Sequence, residues 1–92
     1  MGLTHNTVTV ANRLGLHARP AAELVKVAAK FRSEIHIAKD GMWVNAKSIL
    51  GVMTLAAEQG SVLEVKANGE DSNEAVAAMV AVVQRDWDFS DV

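Results

Sequence analysis

The segment EIHIAKDGMWVN, residues 34–45, decides the fold class. Its first half alternates apolar and polar residues, with Ile35 and Ile37 on one side, which is typical of a strand with one buried face. Asp40-Gly41 is a strong signal for a two-residue hairpin turn, and MWVN then supplies the returning strand. The segment therefore predicts an antiparallel hairpin, and with it an antiparallel sheet.

Upstream of the hairpin, the sequence predicts a helix over residues 18–31 and a strand over residues 7–11. Polar residues of the helix are separated by four, three and four positions, which places them on one solvated stripe. They are Arg19, Glu23, Lys26 and Lys30. The opposite face is apolar and consists of Ala21, Leu24, Val25, Ala28 and Phe31. The stretch NTVTVA alternates and is rich in β-branched residues, which favours the strand.

Downstream, the sequence predicts a short helix, a strand and a longer helix. KSILGVMTLAA is the short helix, with Ser48 as its N-cap. SVLEVKAN alternates as a strand. Asp71 and Glu74 have the spacing of a capping box, with Asp71 as the cap. The run AVAAMVAVV would also suit a strand, but its alanines, its length and the preceding cap favour a helix.

The predicted order is β-α-β-β-α-β-α. Because every strand alternates and every helix has one apolar face, we expect an α+β fold in which the helices cover one face of a four-stranded antiparallel sheet. The other face should stay in contact with water. Thr7, Thr9, His36 and Lys66 are predicted to point out of that open face.

Composition indicates one small domain over residues 1–92. Half of the residues are hydrophobic, which is ample for a core and argues against disorder. The N-terminal MGLTHNTVTV lacks the basic and apolar regions of a signal peptide. The longest apolar run, residues 75–83, is far shorter than the ~20 residues of a membrane-spanning helix. We therefore expect a cytoplasmic protein that does not insert into membranes.

The charge distribution does not favour a nucleic-acid partner. The net charge is −2, and residues 1–66 hold eight Lys or Arg and five Asp or Glu, whereas residues 67–92 hold one Arg and six Asp or Glu. Neither part has a dense basic cluster. The acidic tail, about residues 86–92, is interpreted as solvated surface. Trp43 and Trp87 could form a stacking site, but packing at the domain edge is the preferred interpretation.

His17 stands where the helix over residues 18–31 should begin, a position usually held by Ser, Thr, Asp or Asn. The first turn of a helix carries unpaired amides and a partial positive charge, which suits phosphate. Arg19 adds a guanidinium fork, and Pro20 stiffens the turn without losing a needed N–H. A neutral imidazole is a good nucleophile near pH 7. His17 could therefore accept a phosphoryl group, held by the amides of Ala18 and Arg19; alternatively, it is an unusual N-cap.

The other histidines are weaker candidates. His5 is expected in a frayed terminus, and His36 is expected to point out of a strand. Neither has metal-ligand spacing with His17, and the chain contains no cysteine, so no metal site and no disulfide are predicted. No glycine-rich cofactor loop or second acid–base group accompanies His17, so neither a cofactor nor an enzyme active site is predicted.

The short helix that follows Ser48 has more large apolar residues than one face can hold. Val52 and Leu55 can face the sheet, whereas Ile49, Leu50 and Met53 cannot all join them. An exposed apolar patch on a soluble protein suggests a docking surface. The alternative is a helix that is buried on all sides.

Two motifs, LGLHARPAAELV and VNAKSILGVMTLAA, resemble the active-site and regulatory-site motifs of the histidine-containing phosphocarrier (HPr) family of the bacterial phosphoenolpyruvate-dependent sugar phosphotransferase system. The resemblance runs over nearly the whole chain and implies an open-faced β-sandwich. It implies that His17 takes phosphate on Nδ1 from enzyme I and passes it to enzyme IIA components. Arg19 matches the active-site arginine of the family.

The same resemblance implies a regulatory role for Ser48, the serine that HPr kinase/phosphorylase modifies in many bacteria. The seryl-phosphorylated form then partners a catabolite control regulator. Ile49, Leu50 and Met53 match the docking surface of the family. We expect a cytoplasmic, monomeric carrier without a cofactor. Such a carrier is consumed and regenerated in each transfer, and it is not an enzyme.

Two alternatives remain within this resemblance. The motif NRLGLHARPA with an acidic aromatic tail is also similar to the nitrogen-branch paralogue, which carries phosphate to a regulatory protein. A non-catalytic regulatory module would act through Ser48, although such paralogues lack the histidine that this chain has as His17.

Overall fold

The structure, a computed structural model, describes residues 2–88. All seven predicted elements are present in the predicted order. The strands are β1 (Gly2–Thr9), β2 (Glu34–Lys39), β3 (Met42–Asn45) and β4 (Val62–Gly69). The helices are α1 (Ala18–Ala28), α2 (Ile49–Thr54) and α3 (Ser72–Gln84). The predicted fold class, four antiparallel strands with three helices, is confirmed.

The sheet has the strand order β1-β4-β2-β3, and all neighbouring strands are antiparallel. The predicted hairpin joins β2 to β3, with Lys39 opposite Met42. Asp40 and Gly41 have φ values of 52° and 81°, the positive values that a tight hairpin turn requires at both central positions. Aspartate tolerates this conformation better than most residues and glycine adopts it freely, which explains why Asp-Gly occurs here.

The helices cover one face of the sheet. Helix α3 packs against β1 and β4, α1 packs against α3, and α2 lies between α1 and β3. The core between the layers is formed by apolar side chains that alternate along the strands and by the inner faces of the helices. Its largest fully buried members include Leu24, Ile35, Ile37, Leu55, Leu63 and Met79.

The opposite face of the sheet is open, as predicted. Thr7 and Thr9 are exposed there, and His36 and Lys66 lie opposite each other on β2 and β4 and are half-buried. The structure corrects the expectation that His5 lies in a frayed terminus, because His5 is paired with Lys66 inside β1. Its Nε2 atom lies 3.1 Å from Oε1 of Glu64 on the same open face.

Several element boundaries differ from the prediction, and the start of β1 and the end of α1 have clear physical reasons. Strand β1 begins at Gly2 instead of residue 7, because its first residues pair with β4 although their side chains are largely exposed. Alternation of hydrophobicity cannot reveal such a strand. Helix α1 ends at Ala28 instead of residue 31, because the amides of Lys30 and Phe31 bond the carbonyls of Val27 and Ala28 three residues back. The last turn of the predicted helix is therefore wound more tightly than an α-helix, with hydrogen bonds that reach back three residues and not four.

The two predicted caps have different outcomes. Ser48 caps α2 as predicted, and its Oγ accepts a hydrogen bond of 3.1 Å from the amide of Gly51. The predicted capping box at Asp71 is wrong, because the Asp71 side chain makes no cap hydrogen bond to α3. Its carboxylate instead accepts bonds from the amides of Arg32 and Ser33 and from the Ser33 hydroxyl. Asp71 therefore ties the start of α3 to the loop between α1 and β2.

This contact should make folding stability depend on Asp71 at acidic pH. The Ser33 hydroxyl and then the Arg32 amide stabilise the carboxylate and lower the pKa of Asp71 from 3.8 to about 2. A carboxyl group with a depressed folded-state pKa stabilises the fold fully above its unfolded pKa and loses that effect as the pH falls. We expect Asp71→Asn to lower the melting temperature at pH 7, and the gap to the parent protein to narrow between pH 4 and pH 2.

Thermal unfolding followed by circular dichroism across this pH range measures the effect. Glu70→Gln is the matched control, because Glu70 is the exposed acidic neighbour of Asp71 in the same turn. A gap between Asp71→Asn and the parent protein that stays constant from pH 7 to pH 2 would contradict the assignment.

Candidate functional site

The loop before α1 is held in place by the segment that follows α2. The amide of Leu16 donates to the carbonyl of Ala57 at 2.8 Å, and the amide of Gly15 donates to the carbonyl of Asn12 at 3.0 Å. Gly15 has a φ of 68°, and a Cβ atom at this position would collide with the carbonyl oxygen of Ala57. Only glycine fits here, so Gly15 fixes the approach of the chain to His17.

His17 occupies the N-cap position of α1. Its backbone is extended (φ −77°, ψ −170°), and its carbonyl accepts the first helical hydrogen bond, from the amide of Ala21 at 3.0 Å. His17 is therefore an unusual N-cap by position, but its imidazole makes no cap hydrogen bond. The ring is therefore not used to complete the helix.

The two ring nitrogens of His17 are not equivalent. Nε2 is buried and has no hydrogen-bond partner among the described residues. A buried polar atom without a partner is rare in folded proteins and calls for a functional or structural reason. Because a buried Nε2 is out of reach of an incoming group, Nδ1 is the nitrogen that remains for a reaction.

The first turn of α1 offers a favourable environment for an anion. Ala18 and Arg19 are exposed, and the turn contains no acidic residue. The amides at the start of a helix have no acceptors within the helix, and the helix dipole adds partial positive charge. Pro20 is buried in this turn, where its missing N–H costs nothing. A negatively charged group on His17 would therefore lie at the positive end of α1.

The side chain of Arg19 lies over the ring of Trp87. The guanidinium carbon is 5.8 Å from the ring centroid, within the range of a cation–π contact. Trp87 is half-buried and packs against the core, so the preferred interpretation of packing at the domain edge is confirmed for this residue. Phe89, the other aromatic residue of the tail, lies outside the described residues.

The apolar patch predicted on α2 is present. Ile49, Leu50 and Met53 are exposed, and Leu50 is the most exposed of them at 77%. Val52 and Leu55 are buried, as predicted, so the alternative of a helix buried on all sides is wrong. We call Ile49, Leu50 and Met53 the α2 patch. The bond from Leu16 to Ala57 connects the loop that carries His17 to the segment that leaves α2.

Sequence reasoning missed three residues around this site. Leu14 is 68% exposed in the loop before His17. Asn12 is buried, and its side chain bridges this loop to the backbone of Arg85 and Trp87. The contact between Trp87 and Arg19 was also not predicted. The contacts of Asn12 and Trp87 join residues about seventy positions apart, so no local pattern could have revealed them.

The described residues, 2–88, contain no group of histidine and acidic side chains that could hold a metal ion. His5 and His36 lie on the open face of the sheet, on strands β1 and β2. Within the same part of the chain, no helix is long and apolar enough to cross a membrane.

Comparisons with known proteins agree with this geometry. A sequence model described as the PTS HPr component phosphorylation site matches residues 4–85. The phosphocarrier protein HPr of Xylella fastidiosa (strain Temecula1) is 48% identical over 77 residues, which cover 84% of this chain and 86% of the relative.

Two solved structures show the same fold. The phosphocarrier protein HPr from Bacillus anthracis superimposes with a TM-score of 0.85 at 44% identity. The match covers 91% of this chain and 100% of the Bacillus anthracis chain. Crh, the catabolite repression protein of Bacillus subtilis, superimposes with a TM-score of 0.72 at 46% identity and covers 80% and 85% of the two chains. The Crh structure is described as a domain-swapped, intertwined dimer.

Proposed function

This chain belongs to the HPr family of phosphocarrier proteins, and from that premise we propose that His17 accepts a phosphoryl group and passes it on. The observation that carries the proposal is the position of His17, at the start of α1 with Nε2 buried and its side chain free of any capping role. The donor in this proposal is phosphorylated enzyme I, and the acceptors are the enzyme IIA components of sugar uptake. The protein would act in the cytoplasm, as a monomer and without a cofactor.

In the proposed transfer, the lone pair of Nδ1 attacks the phosphorus atom while the bond from phosphorus to the donor atom breaks. The electron pair of that bond stays with the donor, and the ring proton stays on Nε2. The amides of Ala18 and Arg19 and the Arg19 guanidinium then stabilise the phosphoryl oxygens. The second transfer reverses these steps, so the chain returns to its starting state as a stoichiometric carrier and not as an enzyme.

Incubation with phosphoenolpyruvate and purified enzyme I tests the proposal. Mass spectrometry under neutral conditions should show one added phosphoryl group that is lost in acid. Transfer from the labelled protein to a sugar-specific enzyme IIA, or to the corresponding nitrogen-branch protein, then identifies the branch. No label under these conditions would contradict the proposed function.

The α2 patch is proposed as the docking surface for enzyme I, because it is exposed, apolar and connected to the loop that carries His17. We expect Leu50→Glu to weaken enzyme I binding about tenfold or more, since a charge in the centre of an apolar interface costs more than ~1 kcal/mol. Leu50 is 77% exposed, so the domain should remain folded. Isothermal titration calorimetry measures the affinity.

Leu3→Glu is the matched control for this substitution. Leu3 is 74% exposed, but it lies on β1 in the sheet, away from α2. We expect it to leave enzyme I binding unchanged. If both substitutions weakened enzyme I binding equally, the cause would be the added negative charge in general. That result would contradict the α2 patch as the docking surface.

Regulation through Ser48 is the second candidate function, favoured by the similarity to Crh and by the position of Ser48 next to the α2 patch. A phosphoryl group there would add a charge of about −1.5 to −2, which the start of α2 tolerates. The proposed modifying partner is an HPr kinase/phosphorylase, and the proposed reader is a catabolite control regulator. The added charge would have to lose water when enzyme I docks, which is costly.

We therefore expect Ser48→Asp to slow phosphorylation of His17 by enzyme I severalfold with little change in melting temperature. Ser48→Ala is the control: it should lose about 1 kcal/mol of stability with the cap and retain a normal transfer rate. Quenched phosphorylation time courses measure the transfer rate, and thermal unfolding measures the stability. An unchanged rate in Ser48→Asp would restrict Ser48 to its capping role.

A further inference from the structure

The chain after α3 turns back toward the loop that precedes His17. The amide of Trp87 donates to Oδ1 of Asn12 at 2.7 Å, and the amide of Arg13 donates to Oδ1 of Asp88 at 2.8 Å. Nδ2 of Asn12 donates to the carbonyl of Arg85 at 3.3 Å. Asn12 is buried, and its two hydrogen bonds are partly shielded from water, whereas the bond from Arg13 to Asp88 is exposed. The end of α3 and the loop before α1 therefore form one connected unit.

The ring of Trp87 has a fixed orientation within this unit. Its indole Nε1 donates to the carbonyl of Val82 at 2.8 Å, while its backbone amide is bound to Asn12. The side chain also packs against the core. A ring that is anchored through the indole nitrogen, the backbone and the core does not rotate freely, so it presents a rigid aromatic surface.

Two arginines lie at this ring. The guanidinium carbon of Arg85 is 5.0 Å from the ring centroid, and that of Arg19 is 5.8 Å away. Nη1 of Arg85 also lies 3.7 Å from Oε2 of Glu23, which offsets its charge. Arg19 starts from the first turn of α1, two positions after His17. Trp87 therefore connects the tail with the guanidinium that the proposed transfer uses.

We propose that Trp87 is a positioning residue for phosphoryl transfer, which holds the guanidinium of Arg19 at the start of α1. This inference rests on the proposed function of His17. An arginine side chain is long and samples many rotamers, so transfer is slowed if it must be ordered anew each time. The Trp87 ring reduces that cost by restricting the guanidinium before the phosphoryl group arrives.

The main test is the transfer rate of two Trp87 variants. We expect Trp87→Leu to reduce the rate constant of His17 phosphorylation about two- to tenfold, the range expected for ordering one long side chain, with little change in the concentration of enzyme I at half saturation. Trp87→Phe retains an aromatic face and loses the indole N–H, so it should restore most of the rate. A Phe variant as slow as the Leu variant would overturn the inference.

Trp43→Leu is the matched control. Trp43 also carries a cation–π contact, with Nζ of Lys66 4.2 Å from its ring centroid, but it lies on β3. We expect this variant to transfer phosphate at the parental rate. The specific test is the double variant that combines Trp87→Leu with Arg19→Ala. In this background Trp87→Leu should not slow phosphoryl transfer any further. An equal slowing in both backgrounds would show that Trp87 acts through the fold and would overturn the inference.

A spectroscopic measurement separates this inference from the proposed function. The ring current of Trp87 should shift the Nε–H resonance of Arg19, and Trp87→Leu should remove that shift. A parent protein that is not labelled by enzyme I overturns the proposed function and this inference with it. A parent protein that is labelled, with a Trp87→Leu variant that transfers at the same rate, overturns this inference alone.

Discussion

Replacement of His17 by alanine is expected to abolish phosphorylation by enzyme I and phosphoenolpyruvate. In the proposed transfer the side chain supplies the nucleophile, and no other described group is held at the start of α1 with a nitrogen left for attack. The imidazole makes no cap hydrogen bond, so its removal should not disturb α1. Mass spectrometry at neutral pH should detect one acid-labile phosphoryl group in the parent protein and none in His17→Ala.

His5→Ala and His36→Ala are the matched controls, because both histidines lie on strands of the sheet. Each should accept the same single phosphoryl group as the parent protein. Labelling of His17→Ala at the parental level would place the acceptor elsewhere, whereas loss of label in either control would show that the sheet contributes to the reaction. Circular dichroism of all three variants verifies that they are folded.

Replacement of Arg19 by alanine is expected to slow phosphoryl transfer at least about tenfold. Each hydrogen bond to a charged group contributes about 1.5–3 kcal/mol, and a loss of about 1.4 kcal/mol corresponds to a factor of ten in rate. Folding should change much less, because Arg19 is exposed and its contact with Trp87 is worth ~0.5–1 kcal/mol. Rapid-quench kinetics and thermal unfolding measure the two effects separately.

Arg32→Ala is the control for the loss of positive charge, since Arg32 is exposed in the loop beyond the opposite end of α1. It should leave the transfer rate unchanged. Arg19→Lys should recover only part of the rate, because an ammonium group lacks the planar fork of the guanidinium. Normal transfer in Arg19→Ala, or an equal loss in Arg32→Ala, would contradict the proposed role of Arg19.

The features that could be predicted from the sequence are those encoded within a few neighbouring residues. The turn at Asp40-Gly41 requires two positive φ values, and the sequence provides residues that tolerate them. Ser48 lies three residues before the amide that it caps. The α2 patch follows from counting apolar residues on a helix of six residues. In each case local chemistry already limits the chain to one arrangement.

The features that were missed depend on contacts between distant parts of the chain. Asp71 satisfies the local pattern of a capping box, but its carboxylate instead binds the loop at Arg32 and Ser33, 39 and 38 residues earlier in the chain. These donors compete with the amides of α3, and they offer three hydrogen bonds to one carboxylate. The first residues of β1 are likewise defined by pairing with β4 and not by their own hydrophobicity.

The same limit applies to the candidate site. The position of His17 before a predicted helix, and Arg19 next to it, could be recognised from the motif alone. The contact of Arg19 with Trp87 could not, because it depends on how the end of α3 packs against the loop at Asn12. The burial of Nε2 of His17 also depends on the packed structure. Local sequence identifies the candidate reactive groups, whereas their surroundings are a property of the complete fold.

The distance in sequence between Asn12 and Trp87 has a consequence for biosynthesis. Proteins are synthesised from the N-terminus, so the segment with His17 leaves the ribosome long before the segment with Trp87. Strand β1 must also wait for β4, since Gly2 pairs with Gly69. Such contacts between distant residues slow folding and form late. A nascent chain therefore exposes its histidine early, but it acquires the arrangement proposed for transfer only when synthesis has passed residue 87.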